Sequence, residues 1–398
     1  MRKGTLRTLV DQHLQESGDN KQLGFLKASE HITTLLEEKK LKPEDFSIFT
    51  LFEELVDPEG RFSRTAEATQ LVEAIVTSAF PTISKVIINK SILDAYNLAV
   101  GDAANLVTED NASRTTTDTM AGFTAGEGLE YRPEGMAYEE TFFGEKDYGV
   151  IMGDFGRIIS LTREAIFDDR TGQLLSRAKD IGEKGGQHRA KMIIQTLEVS
   201  PRTAFKEKAS ASKAFIYKGA AKQFATVYNA TTHATIDGQL NPNLVTSNTM
   251  VDWTDIDAAL QLFDAMVDEA GDAIEITPTG ILVPSALRTR LWLITNTAQT
   301  LAKGSTDLLN INTANPYGPQ GMQDYEKYTS RYLTSDSSWF VGDFRKQLVW
   351  LWVFKPATAV QTADSESAFT NQIVMRYRFN YHGGCGHKDY RYIVKNTA

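Results

Sequence analysis

The hydrophobic positions of the chain fall into helical and strand-like stretches that follow one another without a regular rhythm. Residues 1–60 are charged and carry only sparse helical stripes, which predict helices too weakly apolar to form a domain alone. A firmer amphipathic helix is predicted over residues 66–79, where apolar positions recur at helical spacing. Residues 101–136 are rich in Gly, Thr, Asn and Asp, which indicates an extended, loop-like stretch.

The centre of the chain predicts two strands and one long helix. Residues 137–160 are interpreted as two strands joined by a turn at residues 144–147. Beyond them, apolar residues keep helical spacing over Gln173–Glu198, which predicts a helix about 39 Å long at 1.5 Å per residue. Gly185 and Gly186 lie in the middle of this helix and indicate either a bend or a close contact.

The C-terminal part of the chain interleaves helices with strands. Thr254 and Asp257 resemble a capping box that opens a helix ended by Gly271. The segment ILVP is predicted to be a strand that leads into the helix SALRTRLWLI, and the strands WFVGDF, LVWLWVF and IVMRYRFNY follow. LVWLWVF is the longest apolar run, and its length suits a buried strand rather than a membrane helix, which needs about 20 residues. Without a regular βαβ order, the pattern favours an α+β fold.

Composition and charge narrow the class of protein. Of the 398 residues, 42 are basic and 51 are acidic, which argues against a protein that mainly binds DNA phosphates or reads nucleic-acid sequence. The single cysteine excludes an internal disulfide. Arg7 and Asp11 interrupt the region where a signal peptide needs its apolar stretch, so we expect a soluble, cytoplasmic protein without a membrane segment.

Candidate metal ligands cluster near the C-terminus, where His382, Cys385 and His387 lie within six residues. Structural zinc needs four ligands and catalytic zinc usually three plus water, but the spacing H-x-x-C-x-H matches no zinc module. The other histidines lie beside no carboxylate pattern that suits a metal. The intervening glycines favour a turn with positive φ where a strand ends, so we predict a turn and no metal or cofactor. These glycines are Gly383, Gly384 and Gly386.

Familiar catalytic motifs do not occur in the sequence. GEGLEY lacks the third glycine of a dinucleotide loop, and the chain has no phosphate-binding P-loop. It has neither a nucleophile elbow nor an H-E-x-x-H zinc motif. Asp252, Asp255 and Asp257 are spaced like calcium ligands but lack the turn glycine, and acidic residues at a helix start are the simpler interpretation. No catalytic residue is assigned.

Three parts of the chain carry a resemblance to a known family. They are the segment EYRPEGMAYEETFFGEKDYGVIMGDFGRIISLTREAIFDD, the pair ILVPSALRTRLWLI and WFVGDFRKQLVWLW, and the ending GGCGHKDYRYIVKN. In this order they resemble the major capsid proteins of tailed phages, which have the Hong Kong 97-like fold. The first looks like the extended hairpin called the E-loop and the start of the spine helix. The pair resembles pieces of the axial domain, and the ending is similar to that of a subset of these proteins.

The resemblance implies an α+β capsid fold with an N-terminal arm, an E-loop hairpin, a peripheral domain built on the long spine helix, and an axial domain. The helical N-terminal extension would occupy residues 1–60 and the N-arm residues 61–125. The other parts would be the E-loop at 126–160, the peripheral domain at 161–225, the axial domain at 226–360, and the return strand and C-terminus of the peripheral domain at 361–398.

Two groups of residues are candidates for functional roles within this family pattern. A two-stranded hairpin is marginally stable alone, so its aromatic residues need cover from a neighbouring subunit or, alternatively, from their own domain. The candidate intersubunit residues of the E-loop are Tyr138, Phe142, Phe143, Lys146, Tyr148 and Phe155. The candidate residues of the peripheral-domain turn are Gly383, Gly384, Gly386, Asp389 and Arg391.

The resemblance implies a structural protein without enzymatic activity that forms hexamers and pentamers of an icosahedral phage shell around double-stranded DNA. The implied partners are further copies of the chain, scaffolding, portal and decoration proteins, and packaged DNA bound without sequence specificity. The expected location is the virion capsid, assembled in the host cytoplasm. Two alternatives stay open: an encapsulin-type shell protein, which shares the fold but encloses enzymes, and a metal-dependent enzyme centred on His382 and Cys385.

Overall fold

The computed structural model divides the chain into two compact units. The first comprises Met1–Gly101, Asp154–Arg189 and Phe354–His382, and the second comprises Asp102–Gly153, Ala190–Val353 and Gly383–Ala398. The residues that the structure describes are 5–17, 20–42, 47–57, 68–76, 78–115, 117–123, 145–162, 164–165, 173–199, 216–218, 222–224, 227–231, 233, 240–268, 271–296, 299–300, 313–318, 324–362 and 370–398.

The N-terminal part of the first unit is helical, as predicted. Asn20 caps one of its helices by accepting a hydrogen bond from the backbone N–H of Leu23, and Ser47 opens another in a capping box with Thr50. The helices of residues 1–60 pack against a longer apolar helix, which explains how their weak stripes are buried. The helices are α1 (Thr5–Ser17), α2 (Lys21–Glu37), α3 (Ile48–Leu55), α4 (Ala68–Val76) and α5 (Phe80–Val100).

Helix α5 is the apolar partner of these helices. Its buried side includes Ile83, Ile87, Ile92 and Tyr96. In the described part of the chain, no single helix is long and apolar enough to cross a membrane; the bent pair 70–76 and 80–106 meets the length and hydropathy requirement only when its two helices are taken together.

The predicted long helix forms with the expected bounds, as α6 (Gln173–Glu198). Within the first unit its glycines lie against α5. A Cβ atom on Gly182 would lie 2.3 Å from the carbonyl oxygen of Ile92, and one on Gly186 would lie 2.4 Å from that of Tyr96. Of the two alternatives predicted for the glycines of this helix, the close contact is therefore present.

Two long strands, β13 (Leu348–Thr362) and β14 (Ile373–His387), contribute residues to both units. In the first unit, β14 lies beside β4 (Gly153–Thr162). An aromatic cluster covers this strand pair: the ring of Phe155 lies 4.5 Å from that of His188 and 5.5 Å from that of Tyr381. Burial raises the pKa of the Tyr381 hydroxyl, whose oxygen lies 2.6 Å from His188 Nδ1.

The second unit is built on a five-stranded sheet. Its strand order is β11-β8-β12-β15-β7, with β8 parallel to β11 and antiparallel to β12. Its buried core includes Phe263, Ile281, Trp339 and Val394. The strands are β7 (Leu244–Val245), β8 (Gly280–Pro284), β11 (Glu326–Ser330), β12 (Trp339–Gly342) and β15 (Ile393–Asn396). The helices packed in this unit are α7 (Trp253–Asp264), α8 (Arg288–Asn296), which follows a short 3-10 turn, and α9 (Phe344–Gln347).

Four short pairings complete the second unit. β1 (Thr108–Asn111) runs parallel to β13 at Val349–Trp352. The remaining pairs are antiparallel: β2 (Thr117–Phe123) with β3 (Glu145–Ile151), β5 (Ile216–Lys218) with β6 (Lys222–Phe224), and β9 (Gln299–Thr300) with β10 (Thr313–Ala314). Helices packed beside sheets of mixed parallel and antiparallel pairing, without a regular βαβ order, confirm the predicted α+β class.

Two details of the sequence-based description are wrong. The capping box of α7 is formed by Asp252 and Asp255, because Asp252 accepts from the backbone N–H of Thr254 and Asp255 accepts from that of Asp252. The helix also ends at Asp264, before Gly271. β15, which lies within the range 361–398, pairs with β12 and β7 in the five-stranded sheet, and the division of the chain into peripheral and axial domains stays a prediction.

Replacing Gly186 with alanine is expected to destabilise the subunit, although alanine is the better helix former by about 1 kcal/mol. The new Cβ would meet the backbone of Tyr96, which cannot move aside, so we expect the free energy of unfolding to fall by about 1–3 kcal/mol. Gly185→Ala is the matched control, because its Cβ would mainly meet the rotatable ring of Phe379 at 2.8 Å and should cost less. Chemical denaturation of the dissociated subunit, followed by circular dichroism, measures both. A G186A protein as stable as the wild type would contradict the contact.

Candidate functional site

The described part of the extended hairpin is a ribbon formed by β2 and β3. Seven positions pair in antiparallel register, from Thr117 with Ile151 to Phe123 with Glu145. The turn predicted at residues 144–147 is therefore wrong, because residues 145–147 lie inside β3. β2 was missed because its sequence, TDTMAGF, lacks the apolar alternation that marks a half-buried strand. The two strands are connected through residues 124–144, which lie outside the described residues.

The root of this ribbon is held by a small apolar cluster in the second unit. Val150 and Met152 are 1% and 5% exposed and pack with Val349 and Leu351 of β13, which are fully buried. Burying these four side chains stabilises the base of the ribbon, by about 1.5–3 kcal/mol for each fully covered residue. The ribbon therefore leaves the subunit from a fixed base.

Three glycines of β14 make room for that base and its neighbours. A Cβ atom on Gly384 would lie 2.2 Å from the carbonyl oxygen of Ile151, and one on Gly386 would lie 2.5 Å from Cγ2 of Val150. A Cβ on Gly383 would lie 2.7 Å from the carbonyl oxygen of Leu351. The predicted positive-φ turn is wrong: these residues are inside β14, and the described glycines with positive φ lie elsewhere in the chain. Glycine is needed here for close backbone approach.

The other predicted E-loop residues fall into three groups. Tyr138, Phe142 and Phe143 lie outside the described residues. Lys146 and Tyr148 belong to β3, but their side chains are not among those described. Phe155 lies in β4, where it packs against aromatic side chains of its own unit. For Phe155 this contact fits the alternative in which the residue is covered by its own domain, and we no longer assign it to a subunit interface.

The three candidate metal ligands do not converge. Cys385 and His387 are two residues apart and lie on one face of β14, whereas His382 is an odd number of residues away and lies on the other. His387 accepts a hydrogen bond at Nδ1 from Gln347 Nε2, 3.2 Å away, and donates from Nε2 to the carbonyl oxygen of Thr196, 2.8 Å away. Both ring nitrogens of His387 are thus engaged. Within the described ranges, no group of three or more His, Cys, Asp and Glu side chains is placed to hold a metal.

Asp389 and Arg391 lie in the turn between β14 and β15. Arg391 Nη2 lies 2.8 Å from Asp389 Oδ2, and Asp389 Oδ1 accepts the backbone N–H of Tyr390 at 2.7 Å. The Tyr390 ring stacks on that of His233 with a centroid separation of 4.0 Å. Asn243 Nδ2 also donates to the carbonyl oxygen of Tyr390, at 2.8 Å. The turn is therefore a buried, hydrogen-bonded support for the last strand of the sheet.

The end of α6 carries a second polar cluster that the sequence did not indicate. The Glu198 carboxylate accepts from the backbone N–H groups of Thr334 and Ser335, and its backbone carbonyl accepts from Lys395 Nζ at 3.2 Å. Lys395 Nζ also lies 5.5 Å from the centre of the Tyr228 ring. Burial lowers the pKa of the Lys395 ammonium, and the nearby Glu198 charge opposes this shift only in part.

The model of one protein family matches most of the residues that form the ribbon root, the five-stranded sheet and the C-terminal turn. Its model, described as phage capsid protein, matches residues 145–396, a span that runs from β3 to the end of β15 and covers more than half of the chain. The chain belongs to the phage capsid protein family. The sequence-based prediction of a structural major capsid protein, located in the virion capsid, is thereby confirmed. Membership of this family does not favour the encapsulin-type or metal-enzyme alternatives.

Solved capsid structures are similar to this chain at low sequence identity. A structure from Microbacterium phage Oxtober96 shares 12% identity at a TM-score of 0.44, over 74% of this chain and 90% of that chain. The capsid of a native GTA particle shares 13% at 0.47, over 75% and 90%. The capsid of Ralstonia phage GP4 shares 11% at 0.46, over 73% and 86%. No curated protein matches the capsid protein.

Replacing Gly384 with alanine is expected to loosen the ribbon root. The added Cβ would meet the backbone of Ile151 at 2.2 Å, so β14 and the segment 150–152 cannot keep their spacing. We expect a loss of about 1–3 kcal/mol in the free energy of unfolding and faster amide exchange at residues 149–152. Cys385→Ala is the control, because it changes the adjacent buried position without adding an atom. Unchanged exchange in G384A would refute the close approach.

Replacing Lys395 with methionine should change how stability depends on pH. Because the folded state lowers the pKa of Lys395, the unfolded chain binds more protons at this group, and the stability that the lysine contributes rises with pH up to its ordinary pKa near 10.5. The wild type should therefore gain stability over K395M as the pH rises toward 10.5. Denaturation across that range measures the difference. Lys346→Met, at a side chain that is 59% exposed, is the control, and equal slopes in K395M and wild type would contradict the burial effect.

Proposed function

We propose that this capsid protein assembles into hexamers and pentamers of an icosahedral head that encloses double-stranded DNA, and that the β2–β3 ribbon makes the principal contact between subunits. The observation that carries the proposal is the ribbon: seven paired positions that end, at Val150, on a buried base. Family membership supports the shell, and the ribbon supports the means of assembly.

The physics of a two-stranded ribbon favours an intersubunit role. Such a ribbon is marginally stable in water, and three strands or an opposing surface are needed to stabilise it. β5 of the same subunit lies beside β3, and a neighbouring subunit would supply the rest of that surface. Contacts of this heterologous kind close into rings, and rings into shells, so modest free energies per contact are multiplied by valency. The proposed contact residues are Tyr138, Phe142, Phe143, Lys146 and Tyr148.

We assign the parts of the Hong Kong 97-like fold on this basis. The E-loop is β2, β3 and the connection 124–144, which revises the range 126–160. The spine helix is α6, and the peripheral domain is built on it with β4 and β14. The axial domain is the five-stranded sheet, which includes β15, together with α7 and α8. The N-terminal extension keeps its proposed range, 1–60. The N-arm, proposed at 61–125, now ends where β2 begins.

Packaged DNA would be enclosed by this shell without sequence-specific binding. A formal net charge of −9 gives the subunit no excess of positive charge for phosphate groups. Scaffolding, portal and decoration partners, assembly in the host cytoplasm and the lack of enzymatic activity are parts of the same proposal, and family membership is what supports them.

Shortening the ribbon is expected to abolish shell assembly while leaving a folded subunit. Met120 and Tyr148 are directly opposite in the register, so an Asn-Gly turn can join them in place of residues 121–147. The cluster around Val150 lies outside the deletion and keeps its burial. Each aromatic side chain removed would contribute about 1.5–3 kcal/mol if fully covered by a neighbour. Circular dichroism should show near-native helix content, and negative-stain microscopy with sedimentation should show only small oligomers.

A variant with full ribbon length separates the effect of the side chains from that of the strands. In this control Tyr138, Phe142 and Phe143 are replaced together by serine. Loss of shells in both variants would assign the contact to the aromatic residues, and loss in the shortened variant alone would assign it to the ribbon backbone. Closed shells formed by the shortened variant would refute the proposed contact. An unfolded shortened variant would show that the ribbon belongs to the core of its own subunit.

A further inference from the structure

The exposed side of α8 carries two large apolar side chains next to each other. Trp292 is 59% exposed and Leu293 is 50% exposed. The opposite side of the helix is anchored in the core of the second unit by Leu291 and Ile294. A single exposed apolar residue is normal on a protein surface, but an adjoining pair of this size on one helix face is typical of a surface that another molecule covers.

Two arginines flank this apolar pair. Arg288 precedes Trp292 by four residues and Arg290 precedes Leu293 by three, so each arginine lies one helical turn from an apolar side chain on the same side of α8. Both arginines are exposed, and neither forms an ion pair with another residue that the structure describes. Arg290 Nη1 donates to the carbonyl oxygen of Met250 at 3.3 Å, which holds this arginine beside the start of α7. The two arginines and the two apolar residues together form what we call the α8 face.

Negative charge is concentrated at the far end of α7, away from this face. Asp264, the last residue of the helix, is exposed, as are Asp272 and Glu275. An antiparallel bridge between Val267 and Ala273 holds the two segments together. None of these three carboxylates forms an ion pair with a residue in the described ranges. With 12 residues, α7 is about 18 Å long, so its acidic end and the α8 face lie at opposite ends of one helix.

We propose that the α8 face of one subunit binds the acidic end of α7 in a second copy of the chain, and that this contact repeats around each ring of subunits. The inference rests on the proposed function, since it concerns the contacts within the hexamers and pentamers. In a ring each subunit uses two different surfaces, one for each neighbour. The α8 face and the acidic end are such a pair, because their charges are complementary and they lie apart on the same subunit.

The composition of the α8 face suits a protein partner. Tryptophan and arginine are the residues that contribute most at protein–protein interfaces, where an apolar centre is surrounded by a polar rim. Duplex DNA would meet the two arginines with phosphate groups but would leave Trp292 and Leu293 without cover. A second copy offers carboxylates to the arginines, and it offers the apolar pair the exposed Ala265 and Ala273 that lie beside those carboxylates.

The first test removes the apolar centre of the contact. Trp292→Ser should raise the subunit concentration at which rings and shells form by about 30-fold, the usual loss at an interface tryptophan. Leu98→Ser is the matched control, because Leu98 is 84% exposed on α5 of the first unit and lies outside the proposed contact. Sedimentation velocity and negative-stain microscopy measure assembly, and circular dichroism checks that the full-length subunits are folded.

A charge exchange tests the identity of the partner. One variant carries Arg288→Glu and Arg290→Glu, and the other carries Asp264→Lys, Asp272→Lys and Glu275→Lys. Each variant alone should form no rings, because its two contact surfaces then have charges of the same sign. Mixed in equal amounts, the two variants should alternate around a ring, which restores six-membered rings but not five-membered ones. Closed shells, which need pentamers, should therefore stay absent from the mixture.

The possible failures have different meanings. Shells formed by W292S at the wild-type concentration would overturn the proposal. Rings formed by either charge variant alone would also overturn it, and so would a mixture of folded variants that forms no rings. A wild type that forms neither rings nor shells would instead refute the proposed function, so the two failures are distinguishable.

Discussion

Close contact between backbone atoms at glycine positions is the constraint on which both units of this capsid protein depend. In the first unit, Gly182 and Gly186 bring α6 against carbonyl groups of α5. In the second, Gly384 brings β14 against the backbone of Ile151, in the segment that roots the ribbon. Backbone atoms have no rotamers with which to relieve a clash, so each contact fixes the position of an element to within a fraction of an ångström. The long helix and the base of the ribbon are therefore held in place because glycine has no side chain, which allows the neighbouring segments to come into close contact.

The polar interior of the second unit has a complementary role. Asn243 is fully buried and donates to the carbonyl oxygens of both Val227 and Tyr390, while Asn248 donates to Asn396 Oδ1. These amides satisfy backbone and side-chain groups where the sheet borders irregular chain, which an apolar residue would leave unpaired at a cost of about 1–3 kcal/mol each. These hydrogen bonds hold the last strand in its register, because a shift would leave the buried amide and carbonyl groups unpaired.

The sequence predicted those elements whose signal is local. The helix Gln173–Glu198 has a long 3.6-residue period, and the run LVWLWVF is too apolar for anything but a buried strand, so both were found. The partner of β3 was missed because strand pairing is non-local and TDTMAGF carries no alternation. The glycines of β14 were recognised as special, but composition alone cannot distinguish a positive φ from a close approach. The hydrogen bond between His13 Nε2 of α1 and His31 Nδ1 of α2, 3.0 Å apart, depends on the packing of two weakly amphipathic helices, so residue spacing along the chain does not predict it.

The same physics explains why residues that are structural within one subunit become decisive in a shell. If the ribbon is the assembly contact, the direction in which it leaves the subunit selects one geometry of neighbours over others. That direction is set at the root, where Val150 and Met152 pack on β13 and Gly386 allows β14 to approach. A change there costs about 1–3 kcal/mol in one subunit, and it recurs at every contact of a closed particle, so that the assembly free energy responds to the sum. Glycine in β14 is thus required by the subunit's packing and, if the ribbon is the assembly contact, by the shell as well.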